Sequence, residues 1–143
     1  MSNVLIIESS ARQQGSFSRQ LTQQFVSQWQ AAHPADQVTL RDLALNPVPH
    51  LDANLLGAWM KPEAQRNADE QSSLQRSNEL TDELLAADVL MLAAPMYNFA
   101  IPSTLKAWLD HVLRAGVTFK YTETGPQGLL TGKKAYVLTA RGG

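Results

Sequence analysis

A short segment in the middle of the chain has the chemistry to bind a flat ring. It combines a thioether, two aromatic rings and a carboxamide, in the order Pro95, Met96, Tyr97, Asn98 and Phe99. Sulfur and aromatic groups pack on the face of a ring, while a carboxamide and backbone amides form hydrogen bonds with its rim. On its own the segment is equally consistent with a turn that buries its own aromatic rings.

The loop near the amino terminus has the chemistry to bind a phosphate. Hydroxyl groups stand at Ser10, Ser16 and Ser18, and an amphipathic helix is predicted to begin at Ser16 or Ser18, around Phe17. The free amides of a first helical turn bind anions with the help of the helix dipole, and serine is a common cap. Many serine-capped helices bind nothing, so this pattern needs support from elsewhere.

The end of the chain offers a third ligand-compatible loop, which consists of Ala140, Arg141, Gly142 and Gly143. Glycine lacks a Cβ and tolerates positive φ, so a ligand can approach the backbone closely there.

Each of these three loops follows an apolar strand. The strands are predicted at 4–7, 89–94 and 135–139. Continuous apolar runs are typical of strands buried on both faces of a parallel sheet, and ligands bind beyond the carboxyl ends of such strands. A phosphate loop, an aromatic loop and a glycine loop at one sheet edge predict a single site.

Strand and helix patterns alternate along the rest of the chain. Further helices are predicted at 53–60, at 62–87, and from Pro102 to Gly116, which ends the last one. The helix at 62–87 is expected to bury one face that contains Leu74, Thr81, Leu84 and Leu85. Further strands are predicted at 37–43 and 117–122, and a turn is predicted at 125–128. The polar strand at 37–43 is expected at a sheet edge. This alternation predicts an α/β fold with a doubly wound, flavodoxin-like parallel sheet.

At this point the sequence resembles a known family. The serine loop, the Met-Tyr-Asn-Phe loop and the final Arg-Gly-Gly, together with 114–123 and 132–135, are similar to the FMN-dependent NADH:azoreductases and related quinone reductases. The resemblance runs from residue 3 to the end of the chain. One departure is Ala140, where the family commonly has a serine.

The resemblance implies an FMN-dependent oxidoreductase. The serine loop would hold the FMN phosphate, residues 95–99 would pack along the isoalloxazine, and residues 140–143 would contact its far rim. NADH would be the electron donor, and quinones and azo compounds the acceptors, in a ping-pong cycle; no side chain is assigned as acid or base. The family is homodimeric, and Tyr121 is expected on the substrate side of the neighbouring chain's pocket.

Composition restricts the other possibilities. The 143 residues are 44% hydrophobic and 17% charged, with net charge −1 and no cysteine, which predicts one globular domain over 1–143 without disulfides or thiolate metal sites. Neither a basic stripe nor a membrane-length apolar run is present, so we expect no nucleic-acid or membrane partner and a cytoplasmic location. The histidines, His33, His50 and His111, are too dispersed to predict a metal site.

Three alternatives stay open: a one-electron flavodoxin-like carrier, a flavin-binding regulator without turnover, and an interaction module without cofactor. The net charge of −1 argues against the carrier, because carriers usually dock through strong negative charge. We also expect the chain to be a fragment, since a fifth strand, its crossover helix and a closing helix would need roughly 40–50 further residues.

Overall fold

The computed structural model describes residues 1–141 and is built around a parallel sheet. In chain order the elements are β1 (Asn3–Glu8), α1 (Phe17–Ala32), β2 (Gln37–Asp42), α2 (Ala53–Met60), α3 (Ala68–Ala86), β3 (Val89–Pro95), α4 (Ser103–Val112), β4 (Phe119–Thr122), β5 (Gly125–Gly128) and β6 (Lys134–Ala140). The sheet order is β2-β1-β3-β6 with every pair parallel, while β4 and β5 form a separate antiparallel pair. The predicted flavodoxin-like α/β fold is therefore confirmed.

The two faces of β1 pack against different helices. Val4 and Ile6 belong to one buried cluster that includes Phe25 of α1, whereas Leu5 and Ile7 belong to a second cluster that contains core residues of α3 and α4. Successive side chains of a strand point to opposite faces, so an uninterrupted apolar run requires cover on both sides. Helix α1 therefore lies on one face of the sheet, and α3 and α4 lie on the other.

The register places the strand ends at one edge. Glu8 is opposite Asp42 on one side and Ala93 on the other, and Pro95 is opposite Ala140. The loops that follow β1, β2, β3 and β6 consequently leave the sheet at the same edge. As expected, β2 is an outer strand, and within residues 1–141 no fifth strand joins the sheet.

The long helix predicted at 62–87 is shorter in the structure. A 3-10 turn covers Glu63–Gln65, and α3 begins after Asn67, which forms a capping box with Glu70. Because the cap satisfies amides of the first turn at that point, the helix begins there rather than at Pro62. The buried face contains Leu74, Thr81 and Leu84, but Leu85 is 43% exposed, so its placement on that face was wrong.

Two further boundaries differ from the sequence prediction. Helix α4 ends at Val112 rather than at Gly116, because the Thr118 hydroxyl donates to the Val112 carbonyl at 2.6 Å and accepts from the Arg114 amide at 3.1 Å. The predicted turn at 125–128 is strand β5, which pairs with β4. A Gly-Pro-Gln-Gly segment has little strand propensity of its own and is extended here by its pairing partner.

No helix within residues 1–141 is both long and apolar enough to cross a membrane. The same residues contain no group of three or more His, Asp or Glu side chains arranged to hold a metal ion.

Candidate functional site

The loop after β1 is organised around the buried side chain of Glu8, which is 1% exposed. Its Oε2 atom accepts hydrogen bonds from the amides of Ser9 at 2.9 Å and Ser10 at 3.0 Å, and its Oε1 atom accepts from the Thr22 hydroxyl at 2.8 Å. The Ser18 hydroxyl adds a longer contact to Oε2 at 3.4 Å. A buried carboxyl group needs such donors, so Glu8 ties the strand end, the loop and helix α1 together.

The hydroxyls of Ser10 and Ser16 face each other above this buried group. Their Oγ atoms lie 2.8 Å apart, and the Tyr97 hydroxyl lies 3.4 Å from the Ser10 Oγ. Ser16 caps α1 as predicted, since its Oγ accepts from the Arg19 amide at 3.1 Å. The amides of Phe17 and Ser18 follow the cap and have no preceding carbonyl within the helix to bind. Hydroxyl and amide donors thus converge at the start of a 16-residue helix.

An ion pair braces the outside of the same loop. The Arg19 guanidinium contacts the Asp42 carboxylate at 2.6 Å and donates to the carbonyls of Ser10 at 2.8 Å and Arg12 at 2.6 Å. Two loop carbonyls, whose partial negative charge would repel an anion, are thereby occupied by a cation. The arrangement joins the ends of β1 and β2 to the first turn of α1.

The aromatic loop after β3 folds back in a tight turn. The amide of Tyr97 donates to the carbonyl of Ala100 at 2.9 Å, and the reverse bond is 3.0 Å. The central residues Asn98 and Phe99 have φ of 51° and 65°, a left-handed conformation that is uncommon for side chains other than glycine and concentrates at functional sites. Phe99 is 93% exposed, so its ring is not packed against the other residues of the loop.

The third predicted loop reaches the aromatic loop through its backbone. The amide of Met96 donates to the carbonyl of Ala140 at 2.8 Å. Arg141 follows as an exposed residue. Gly142 and Gly143 lie outside the described residues.

A cleft of about 250 Å³ opens between the loops after β1, β2 and β3. Ser9, Tyr97 and Thr104 are among its lining residues. The Tyr97 hydroxyl is held at its edge by the Ala11 amide at 3.0 Å. The buried Thr104 hydroxyl has no hydrogen-bond partner within residues 1–141, and such a group is normally satisfied by a ligand or water.

The structure brings most of the predicted residues together but separates one. Ser10, Ser16, Tyr97 and the backbone of Ala140 meet around one sheet edge, whereas Tyr121 lines a different cleft with Trp59. Ser18 is buried, and its hydroxyl contacts the Glu8 carboxylate. Its backbone amide has no carbonyl partner within the helix, so the amide rather than the hydroxyl is the donor left at the helix start.

Sequence reasoning missed the residues that support the site. Arg19 and Asp42 form the brace, and Thr104 carries the unpaired buried hydroxyl. A charged residue at the end of an otherwise apolar strand is a signal that could have singled out Glu8, because such a position is buried in a parallel sheet.

Comparison with known proteins agrees with this geometry. The family described as having a flavodoxin-like fold matches residues 2–143. The FMN-dependent NADH:quinone oxidoreductase 2 of Pseudomonas fluorescens is 85% identical over 143 residues, which are 100% of this chain and 72% of that protein. The FMN-dependent NADH:quinone oxidoreductase of Azotobacter vinelandii is 72% identical with the same coverage of both chains.

A solved structure is similar over the whole chain. The FMN-dependent NADH-azoreductase from Bacillus anthracis, determined in complex with FMN, superposes with a TM-score of 0.89 at 31% identity. The match covers 100% of this chain and 70% of that chain.

The Arg19–Asp42 brace predicts a pH dependence of stability. Burial alone raises the pKa of the Asp42 carboxyl, but hydrogen bonds from Arg19 and from the amides of Leu45 and Ala44 outweigh it and hold that pKa below its usual value. A lowered folded-state pKa contributes stability above the unfolded-state pKa of about 3.9, and this stability is lost as pH falls through the folded-state value. Asp42→Asn should therefore reduce the free energy of unfolding by about 1.5–3 kcal/mol at pH 7.

Urea denaturation at pH 7, 5 and 3.5 measures this effect. The difference between the wild type and Asp42→Asn should shrink toward pH 3.5. Glu123→Gln, at an exposed residue of the turn between β4 and β5 without an ion pair in the described part of the chain, is the control and should show a small and constant difference. A loss for Asp42→Asn that is the same at all three pH values would contradict the ionic role of this carboxyl.

Proposed function

This chain belongs to the flavodoxin-like family that includes the FMN-dependent NADH:quinone oxidoreductases, and on this basis we propose that it is an FMN-dependent oxidoreductase that passes electrons from NADH to quinones. The observation that carries the proposal is the meeting of Ser10, Ser16 and Tyr97 at the first turn of α1. These groups come from two different strand ends and lie within hydrogen-bond distance of one another, with the Ser10 Oγ 2.8 Å from the Ser16 Oγ and 3.4 Å from the Tyr97 hydroxyl.

The phosphate of FMN fits the donors at the start of α1. The hydroxyls of Ser10 and Ser16 and the amides of Phe17 and Ser18 would hold it, in a location where the helix dipole favours an anion. Arg19, whose charge is paired with Asp42, occupies two loop carbonyls that would otherwise repel an anion. The hydroxyl and amide donors therefore suit an anion rather than a cation or an apolar group.

The ring of FMN fits the loops beyond β3 and β6. Met96 and Tyr97 would pack along it, and Asn98 and Phe99, exposed on their left-handed turn, would meet its edge. Pro95 ends the strand beneath them. The backbone of Ala140 to Gly143 would contact the far rim, as the sequence predicts.

When bound, FMN supplies the hydride and electron chemistry, and the protein supplies binding and orientation. The contributions of the chain are positional: the Ala11 amide fixes the Tyr97 hydroxyl, and the Met96–Ala140 hydrogen bond fixes the spacing of two loops. No side chain is assigned a proton-transfer role, because protons at an open sheet edge are available from water.

The finer details of the reaction are inferred from the family. We propose that azo compounds are reduced as well as quinones, with cleavage to two aromatic amines, and that NADH and the acceptor bind in turn at one place in a ping-pong cycle. Cleavage of an azo bond to two amines takes four electrons, so it requires two NADH molecules. A cytoplasmic location follows from this use of NADH.

We also propose that the protein is a homodimer in which the β4–β5 hairpin contacts the neighbouring chain. Tyr121 is 74% exposed, and it packs edge-to-face on Phe119 with ring centroids 5.3 Å apart. Exposed aromatic groups on a projecting hairpin are typical of contact surfaces. In a dimer Tyr121 could reach the substrate side of the partner's flavin site.

The phosphate assignment predicts a selective loss of FMN affinity. Ser10→Ala should weaken FMN binding about 10- to 100-fold, because a hydrogen bond to a charged group contributes roughly 1.5–3 kcal/mol. Fluorescence titration of the flavin-free protein measures this. Riboflavin, which lacks the phosphate, should bind wild type and Ser10→Ala equally, and Ser27→Ala, on the exposed side of α1, should change neither affinity. Equal losses for FMN and riboflavin would contradict the assignment.

The reaction predicts a kinetic pattern. Initial rates of the FMN-loaded protein with NADH and benzoquinone should give parallel double-reciprocal lines, as expected for a cycle in which the first product leaves before the acceptor binds. With an azo dye, two NADH should be consumed per azo bond. The flavin-free protein is the control and should be inactive. Intersecting lines would contradict the ping-pong order, and an FMN-loaded protein that does not oxidise NADH would contradict the enzyme assignment.

The dimer predicts a molar mass of twice the chain mass by light scattering. Tyr121→Ser should shift the equilibrium toward monomer, because it removes an exposed aromatic ring from the hairpin. Leu40→Ser, which removes a 55% exposed apolar side chain from β2, is the control and should leave the mass unchanged. A wild-type mass of one chain with FMN bound would contradict the dimer.

A further inference from the structure

The loop between β1 and α1 contains an exposed arginine, Arg12, whose charge is not paired within residues 1–141. The bonds that hold this residue use its backbone. Its amide donates to the Ser10 Oγ at 3.3 Å, and its carbonyl accepts from the Arg19 Nε at 2.6 Å. The backbone of Arg12 is therefore fixed beside the Ser10 hydroxyl, while its guanidinium has no partner in the described part of the chain.

The charged groups beneath the same loop leave one negative charge uncompensated. Glu8 binds the loop amides, and Arg19 binds the loop carbonyls and pairs with Asp42. Since Arg19 and Asp42 neutralise each other, the charge of Glu8 has no counterpart. The pKa of Arg19 is raised chiefly by its hydrogen bond with Asp42, against the effect of burial, and the charges of Asp42 and Glu8 raise it further. The first turn of α1 is thus exposed to the field of both carboxylates.

This negative charge opposes the binding of a phosphate. Glu8 accepts from the Ser10 amide at 3.0 Å, and the hydroxyl of the same serine is a proposed phosphate donor. A phosphate monoester carries about 1.5–2 negative charges near neutral pH. The N-terminus of a helix supplies the equivalent of only about half a positive charge. The helix dipole does not offset the repulsion from Glu8, so the site needs a cation close to Ser10.

Arg12 is placed to supply that cation. The positive side chains of residues 9–19 are Arg12 and Arg19, and Arg19 is already paired. An exposed guanidinium keeps its hydration in the flavin-free chain, so leaving it unpaired there costs little. Its planar N–H groups match the oxygens of a phosphate, and the arginine side chain is long enough to reach an anion on the Ser10 hydroxyl.

We propose that Arg12 is a binding residue for the phosphate of FMN and offsets the buried charge of Glu8. This inference rests on the proposed function, because it takes the FMN phosphate to lie on Ser10 and Ser16. It adds a dependence on charge that the serine hydroxyls do not have. The affinity for FMN should therefore follow the charge at position 12.

A charge series at position 12 tests the proposal by fluorescence titration of the flavin-free protein in about 20 mM salt. Arg12→Lys should bind FMN within about twofold of the wild type. Arg12→Gln should weaken binding about three- to tenfold, and Arg12→Glu should weaken it further. The control is Lys134→Gln, which removes an exposed charge without an ion pair in the described residues, at the opposite edge of the sheet. It should leave the affinity unchanged.

Two further readouts separate the charge from a structural effect. Riboflavin, which lacks the phosphate, should bind all variants equally. The differences in FMN affinity should shrink in about 500 mM salt, because ions screen exposed charges.

Four outcomes would count against the proposal in different ways. An unchanged FMN affinity in both Arg12→Gln and Arg12→Glu, or equal losses for FMN and riboflavin, would overturn the role of Arg12. A raised KM for NADH with unchanged FMN affinity would assign Arg12 to the electron donor and would also overturn it. A wild-type chain that binds no FMN would instead contradict the proposed function itself, and this inference with it.

Discussion

The buried side chain of Glu8 is the constraint on which the strand-end site depends. At 1% exposure its oxygens must be satisfied within the protein, and the donors that do so come from the loop amides of Ser9 and Ser10 and from hydroxyls of α1. With those amides turned inward, the Ser10 hydroxyl is left to face Ser16 and Tyr97. One acidic side chain at the end of an apolar strand therefore decides which donors of the loop bind inward and which meet Ser16 and Tyr97.

The parallel sheet supplies the second level of organisation. Because β1, β2, β3 and β6 run in the same direction, their following loops meet, and hydrogen bonds between loops then fix their spacing. Arg19 links the first two loops through Asp42, and the Met96 amide links the last two through Ala140.

Several local features of the chain were predictable because they depend on near neighbours, although the Asn67–Glu70 capping box that starts α3 was missed. The Ser16 cap, the bounds of α2 and the outer position of β2 all follow from side chains within a few residues of each other. Other predictions failed where the structure is decided by a partner that is distant in sequence, or by a side-chain hydrogen bond that hydrophobic periodicity does not reveal. Strand β5 is extended because β4 pairs with it, and α4 stops early because the Thr118 hydroxyl takes the place of the next helical hydrogen bonds.

The sequence by itself determined the α/β class, the order of the helices and of the strands in the parallel sheet, and the placement of three ligand-compatible loops after apolar strands, because hydrophobic periodicity and capping act over a few residues. Only the tertiary structure decided which groups of those loops are free. It turned the Ser18 hydroxyl toward Glu8, brought Ser10 within 3.4 Å of Tyr97 across 87 residues of chain, and placed Tyr121 in a different cleft. Hydrogen bonds and ion pairs depend on the distance between groups in space, and the spacing of residues along the sequence does not give that distance.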